Sequence, residues 1–203
     1  MFIYFISIVV GYVLGSISFA QIIAKRHGID LFKEGSKNAG ATNVKRLVGK
    51  SAGNIVFGLD VIKGFIAAGW PMLCTSGFVD DPFALGFIGL VGAIVGHSFS
   101  IFMGFRGGKG VAVTIGGLIA LMPLVVFVGI IAWLIVFYST RYVSLASIVF
   151  GATLPLSTWF LMNNNPWALY FAWGLAVFIL LRHYANIKRL VSGTESKFVK
   201  KEK

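Results

Sequence analysis

Cysteine, histidine and acid are scarce in this sequence: one cysteine, three histidines, and seven aspartates and glutamates among 203 residues. A lone Cys74 excludes an internal disulfide and a thiolate metal cluster, and reads as a small apolar packing residue. Three scattered histidines without a carboxylate cluster supply no ligand set for a metal ion, and nothing calls for a cofactor. Long polar stretches are missing too. The longest run to roughly 25 residues, which leaves no sign of a second, soluble domain, so residues 1–203 are expected to form one domain. The opening MFIYFISIVVGYVLG has no basic leader and no small-residue cleavage site, and is expected to persist as a first membrane span.

What is present is apolar surface. Hydrophobic residues make up 57% of the chain and the mean hydropathy is +0.86, so the bilayer is the solvent for most of it. The apolar residues come in unbroken runs of about 17–25, which fits α-helical spans and not the alternation of a membrane β-barrel. The fold class is therefore all-α and polytopic.

Five spans read directly, at 2–24, 54–76, 84–103, 143–162 and 167–182, and between them 111–139 runs for 29 residues without a charge. Charge decides how that run is cut. The loop 25–50 is basic, the loop FVDDPF carries only Asp80 and Asp81, and the tail from about 188 to 203 is basic. Cytoplasmic loops hold the excess of lysine and arginine, so loop 25–50, GFRGGKG and the tail belong on one side. An even number of crossings must then lie between Gly110 and Arg182. Cutting 111–139 into two, near Gly116-Gly117 and Pro123, gives four. The expectation is seven segments, two of them short, with the N-terminus outside and the C-terminus in the cytoplasm. Segment 111–122 would span only about 18 Å of a ~30 Å core. The net charge of +11 thus reports orientation and not nucleic acid.

Chemistry gathers on the inner side. In LFKEGSKNAGATNVKRLVGK, residues 31–50, Ser36, Asn38, Thr42 and Asn43 offer neutral donors, Gly35 and Gly40 allow tight turns, and Lys37, Lys45 and Arg46 are cations. Such a turn leading into a helix can cradle an anion. Topology alone accounts for lysines here, but it does not ask for Ser36 and Asn38 between glycines beside Arg46. In GFRGGKG, Gly107, Gly108 and Gly110 bracket Lys109, either as a phosphate loop or as a plain turn. It is not a Walker A loop, because Gly104 is one residue too close and Gly110 follows the lysine. Asp60 and Lys63 share a face of the second span, where an ion pair supports architecture or function; His97 ends the third span, more in keeping with packing. His183 and Asn186 share a face where the last span leaves the membrane, and Glu195 follows among cations.

Taken in order, GSKNAGATNVKR, LDVIKG, GHSFSIFMGFRGGKG, RYVSLAS and RHYANIKRLVSGTESK resemble the successive signatures of the bacterial acylphosphate:glycerol-3-phosphate acyltransferases, the PlsY family. The likeness runs from about Gly15 to Lys197. It implies a multi-pass protein of the bacterial inner membrane with a site open to the cytoplasm. That site would move an acyl chain from acyl phosphate to glycerol 3-phosphate, giving 1-acylglycerol 3-phosphate and phosphate for phospholipid synthesis. It also implies that the essential serine and arginine fall on Ser36 and Arg46, the glycine-rich loop on Gly107–Gly110, the final histidine, asparagine and glutamate on His183, Asn186 and Glu195, and an acceptor-side serine on Ser144. Membrane lipid and contact with the enzyme that makes acyl phosphate are the expected partners. The chain departs from the family at Ser18, Ala39 and Ser100, where proline is frequent, and at Lys37, where glycine is. The His-x4-Asp pattern of acyl-CoA enzymes is absent, since no aspartate lies five residues after His27, His97 or His183.

Two anionic phosphates must be brought together, so Arg46, Lys109 and loop N–H groups are expected to neutralise them. The proton acceptor is expected to be a substrate phosphate, with His183 and Asn186 as positioning donors; His183 as general base is the competing reading. A transporter of a phosphorylated metabolite is the alternative, but it calls for polar features reachable from both faces. A scaffold for anionic lipids needs only clustered cations.

Overall fold

The computed structural model describes residues 1–75, 81–162 and 165–198. Asp80, the centre of MNNNPW, the side chain of Cys74 and the last five residues lie outside the described residues. Among the described residues the regular secondary structure is helical, apart from one isolated antiparallel bridge between Ser100 and Arg106. The chain divides into two compact units, Met1–Leu121 and Met122–Lys203.

The first unit holds α1 (Phe2–Ser16), α2 (Phe19–Arg26), α3 (Ala41–Leu47), α4 (Lys50–Thr75), α5 (Pro82–Ser98) and α6 (Val111–Leu121). The first span is broken at Ile17-Ser18, not continuous over 2–24. Ser18 caps α2 by accepting from the Gln21 N–H, and its extended neighbour Ile17 ends α1. The break exposes the last carbonyls of α1, and side chains from elsewhere take them: Lys63 Nζ donates to Gly15 O and Ile17 O at 3.1 and 2.8 Å, and Ser100 Oγ donates to Ser16 O at 2.7 Å. Two of the departures from the family, Ser18 and Ser100, thus both serve this break.

Close helix contact orders the rest of this unit. A Cβ on Gly11 of α1 would strike Gly89 O of α5, and one on Gly116 of α6 would strike Val61 O of α4. Missing side chains let backbones approach, the packing that lipid favours because apolar burial alone does not drive helices together there. Gly116 and Gly117 therefore sit inside α6 and do not break it. The break comes at Met122-Pro123, proline lacking the N–H that would continue the helix. The third span also stops early, at Ser98; residues 99–103 leave it for a short 3₁₀ turn, Ile101–Met103.

The second unit holds α7 (Pro123–Thr140), α8 (Val143–Leu161), α9 (Pro166–Arg182) and α10 (Tyr184–Val191). Arg141, in the left-handed conformation at φ 64°, turns α7 back into α8. The chain bends by 59° between α9 and α10.

By length and composition Phe2–Arg26, Lys50–Leu73, Pro123–Thr140 and Val143–Leu161 can each cross a bilayer, α9 with α10 makes a bent fifth, and α5 and α6 are shorter apolar helices. Seven apolar helical segments thus lie among the described residues, in a protein that exposes many large apolar side chains.

Candidate functional site

The predicted residues fall into two sets, one in each unit. In the first, α2, the loop after it, α3 and the start of α4 share a small core of Ala20, Ala24, Leu31, Ala39, Val44 and Val56. This core lies under the 31–50 stretch and fixes its shape. Asn43 is the staple. Its Oδ1 accepts the Ser36 N–H at 2.9 Å, and its Nδ2 donates to Glu34 O at 3.2 Å and Leu31 O at 3.4 Å. Buried to 1% exposure, Asn43 holds the loop that carries Ser36, a structural task that its predicted anion contact did not anticipate. Ser36 itself is exposed between Gly35 and Lys37, both left-handed at φ 60° and 53°. Glycine is the residue without strain at such an angle, which gives the family's frequent glycine at position 37 a physical reason.

Gly40 begins α3, and Thr42, Asn43 and Arg46 lie along it. Asn38 is half-buried before that turn, as Arg46 is on the helix. Lys45 is engaged with Asn54, its Nζ 3.1 Å from Oδ1.

The GFRGGKG loop lies against this stretch. The Arg106 guanidinium stacks 4.0 Å above the Phe32 ring, and a Cβ on Gly108 would come within 2.9 Å of Ala39 O. Left-handed angles at Gly104, Phe105 and Gly110 turn the loop. Gly107 and Gly108 have another reason to be glycine: a Cβ on either would run into His97, its carbonyl in one case and its ring in the other. Lys109 is half-buried, and Gly110 O accepts from Thr114 N as α6 begins. The two glycine-rich loops, 70 residues apart in sequence, are one structure.

Asp60, Lys63 and His97 sit behind these loops. Asp60 Oδ1 and Lys63 Nζ are 2.8 Å apart, with side chains 3% and 5% exposed, and Lys63 Nζ is 3.1 Å from His97 Nδ1. The pairing read from i,i+3 spacing is thus present; its bonds to α1 and to His97 are long-range and invisible in that spacing.

In the second unit Glu195 is the organiser. Its Oε1 accepts from Ser144 Oγ at 2.6 Å and from Asn186 Nδ2 at 2.7 Å, while Oε2 accepts from Arg189 Nε at 2.7 Å. Burial alone would push its carboxyl up, but the bonds from Ser144, Asn186 and Arg189, with the Arg189 charge, outweigh that and leave it below the usual glutamate value. The segment after it folds onto the α7–α8 turn, with Phe198 N donating to Arg141 O at 2.8 Å. Three predicted residues, Ser144, Asn186 and Glu195, therefore meet. Arg189 was not singled out, although its place six residues before Glu195 in a basic helix was a signal.

His183, 2% exposed, stands at the bend between α9 and α10. Its Nδ1 lies 2.8 Å from Ile179 O. A carbonyl only accepts, so Nδ1 carries a proton, and in the neutral ring Nε2 bears the lone pair. Among the described residues no group of three or more histidine, cysteine and acidic side chains is placed to hold a metal ion.

The glycerol-3-phosphate acyltransferase family profile matches residues 5–193. A glycerol-3-phosphate acyltransferase of Aquifex aeolicus is 42% identical over 192 residues, 94% of this chain and 97% of that one. Among solved structures, the glycerol 3-phosphate form of PlsY, an integral membrane glycerol 3-phosphate acyltransferase, is similar with TM-score 0.88 and 38% identity, covering 97% of this chain and 96% of that one. Its lysophosphatidic acid form is similar with TM-score 0.85, at the same identity, covering 97% and 95%.

Proposed function

Because the chain belongs to the glycerol-3-phosphate acyltransferases, integral membrane enzymes of phospholipid biosynthesis, we propose that it uses acyl phosphate as donor. The chain would pass to the primary hydroxyl of glycerol 3-phosphate, with release of 1-acylglycerol 3-phosphate and phosphate. The observation that carries this reading is the packing of the Lys109 loop on the Ser36–Arg46 stretch, with Arg106 on Phe32 and Gly108 against Ala39. It gathers cations, a serine and bare backbone in one place, the equipment for phosphate groups.

Acyl phosphate is a mixed anhydride whose leaving group departs without strong protonation. The barrier lies in holding two anions close and aligning the hydroxyl on the carbonyl carbon. Arg46 and Lys109 neutralise the phosphates, and Ser36 orients one of them. The hydroxyl oxygen bonds to the carbonyl carbon, the carbon–oxygen bond to phosphate breaks, and the hydroxyl proton leaves. The bond from His183 Nδ1 to Ile179 favours His183 as the acceptor of that proton, since neutral His183 has only its Nε2 lone pair to offer. Glu195 holds Ser144 and Asn186 in position. In this reading these loops, the basic tail and the active site lie on the cytoplasmic side of the bacterial inner membrane, with seven crossings, an orientation that the excess of lysine and arginine in them supports.

Purified protein given acyl phosphate and glycerol 3-phosphate should release phosphate and form the monoacyl product. Release with neither acyl-CoA nor acyl carrier protein supports the donor assignment; uptake of the phosphorylated metabolite into vesicles without acylation supports a transporter instead. A bell-shaped rate profile with a loss above about 10⁴-fold in His183→Ala supports histidine as the base, and a flat profile returns that role to a substrate phosphate.

A further inference from the structure

Asp60 and Lys63 lie one turn apart on a long apolar helix, where charge is strongly unfavourable unless it has a task. Lys63 Nζ stands 3.1 Å from His97 Nδ1. An ammonium has three N–H donors and no lone pair, so in this contact Nδ1 must accept. The proton of a neutral His97 ring therefore sits on Nε2. Asp60 Oδ1, 3.7 Å from Nδ1, is too distant to hold a proton there.

That Nε2 edge faces the glycine-rich loop. A Cβ added at Gly108 would collide with His97 Nε2. The His97 carbonyl accepts the Gly108 N–H at 3.0 Å, and a Cβ at Gly107 would strike the same carbonyl. Ring and backbone of one histidine thus touch the two residues that precede Lys109. On the other side, Lys63 is anchored to Gly15 O and Ile17 O at the break of the first span, so the chain of contacts has a fixed end.

We propose that Asp60, Lys63 and His97 form a positioning network for the phosphate loop. Lys63, charge-balanced by Asp60, fixes His97 as the Nε2–H tautomer, and the ring sets the place of Gly107–Gly110 and hence of Lys109. The three act through the loop and not on the substrate. His27 and His183, whose Nδ1 atoms donate to Ile23 O and Ile179 O, carry the opposite tautomer when neutral.

The test uses the full chain in lipid nanodiscs with ¹⁵N-labelled histidine, at about pH 8 where exposed rings are neutral. The spectrum is expected to show one ring protonated at Nε2, absent in His97→Gln, and to lose that fixed signature in the double variant Asp60→Leu/Lys63→Met. A His97 ring protonated at Nδ1 in the unmodified protein overturns the network. The double variant replaces the pair by apolar groups, so it leaves no orphan charge. It and His97→Gln should each lower kcat/KM for glycerol 3-phosphate at least tenfold, and combining all three changes should lower it no further, because one loop is displaced. Unchanged kcat/KM, or losses that multiply, also overturn it. The turnover arm rests on the proposed reaction. If the unmodified protein does not transfer from acyl phosphate, that reading fails, and the network is still judged by the spectrum.

Discussion

Asp60 in the first unit and Glu195 in the second are both nearly buried carboxylates, 3% and 7% exposed, and each faces a cation. Their surroundings differ. Lys63, ion-paired with Asp60, is as buried as the aspartate and gives its protons to two helix-end carbonyls and to His97 Nδ1. Arg189, the partner of Glu195, is 42% exposed, and the glutamate draws two further donors, Ser144 and Asn186. Within a span no water can hydrate a charge, so protein groups must satisfy both members of the pair. At a helix end water solvates the cation, and the carboxylate can spend its other oxygen gathering neutral residues. The first arrangement braces helices; the second assembles side chains.

That contrast breaks most visibly if one partner is removed. Asp60→Ala leaves a buried ammonium and should destabilise the protein by about 3–5 kcal/mol, seen as a lowered thermal midpoint in detergent. A midpoint equal to that of the unmodified protein would mean that Lys63 is hydrated and the distinction is unfounded. Next in size is the loss of the cations proposed to neutralise substrate phosphates: Lys109→Ala and Arg46→Ala should each lower kcat by about 10²–10³-fold while the midpoint holds. Normal steady-state rates in either variant, with folding intact, remove that residue from the mechanism.

Glu195→Gln is expected to be milder, about 1 kcal/mol, because Arg189 returns to water. Its pH dependence sharpens the comparison. The folded carboxyl sits below its ordinary value, so the stability it contributes is complete above the unfolded pKa of about 4.3 and is lost as pH falls through the lower folded value. A midpoint measured from neutral to strongly acidic pH should show this acid-side loss in the unmodified protein and a smaller one in Glu195→Gln. The smallest effect belongs to Lys37→Gly, which relieves the left-handed angle of 53° and should raise the midpoint by the equivalent of about 1 kcal/mol or less. A fall would mean that the lysine side chain holds this turn.

Much of the fold was legible early. The cut at Pro123 and the span from 143 came out close to their helices, because hydrophobic runs and proline act locally. Glycines misled where their reason was a neighbouring helix: Gly116 and Gly117 suggested a break and instead mark where α6 approaches α4 and α5. The same holds for the site. Residue types and order were enough to single out Ser36, Arg46, Lys109, His183, Asn186 and Glu195. They could not show that Asn43 is consumed in stapling a loop, or that Gly107 and Gly108 yield space to His97.

The sequence by itself determined the membrane class, the family and the residue types available for phosphate chemistry, since composition, periodicity and ordered motifs are properties of the chain. Only the tertiary structure decided which of those residues meet: Lys63 with Gly15 and His97, 48 and 34 positions away, and Glu195 with Ser144, 51 away. Periodicity gives the face of a helix that a residue occupies. Its partner on another helix depends on the register of the two backbones, and here that register is set where glycines let them touch.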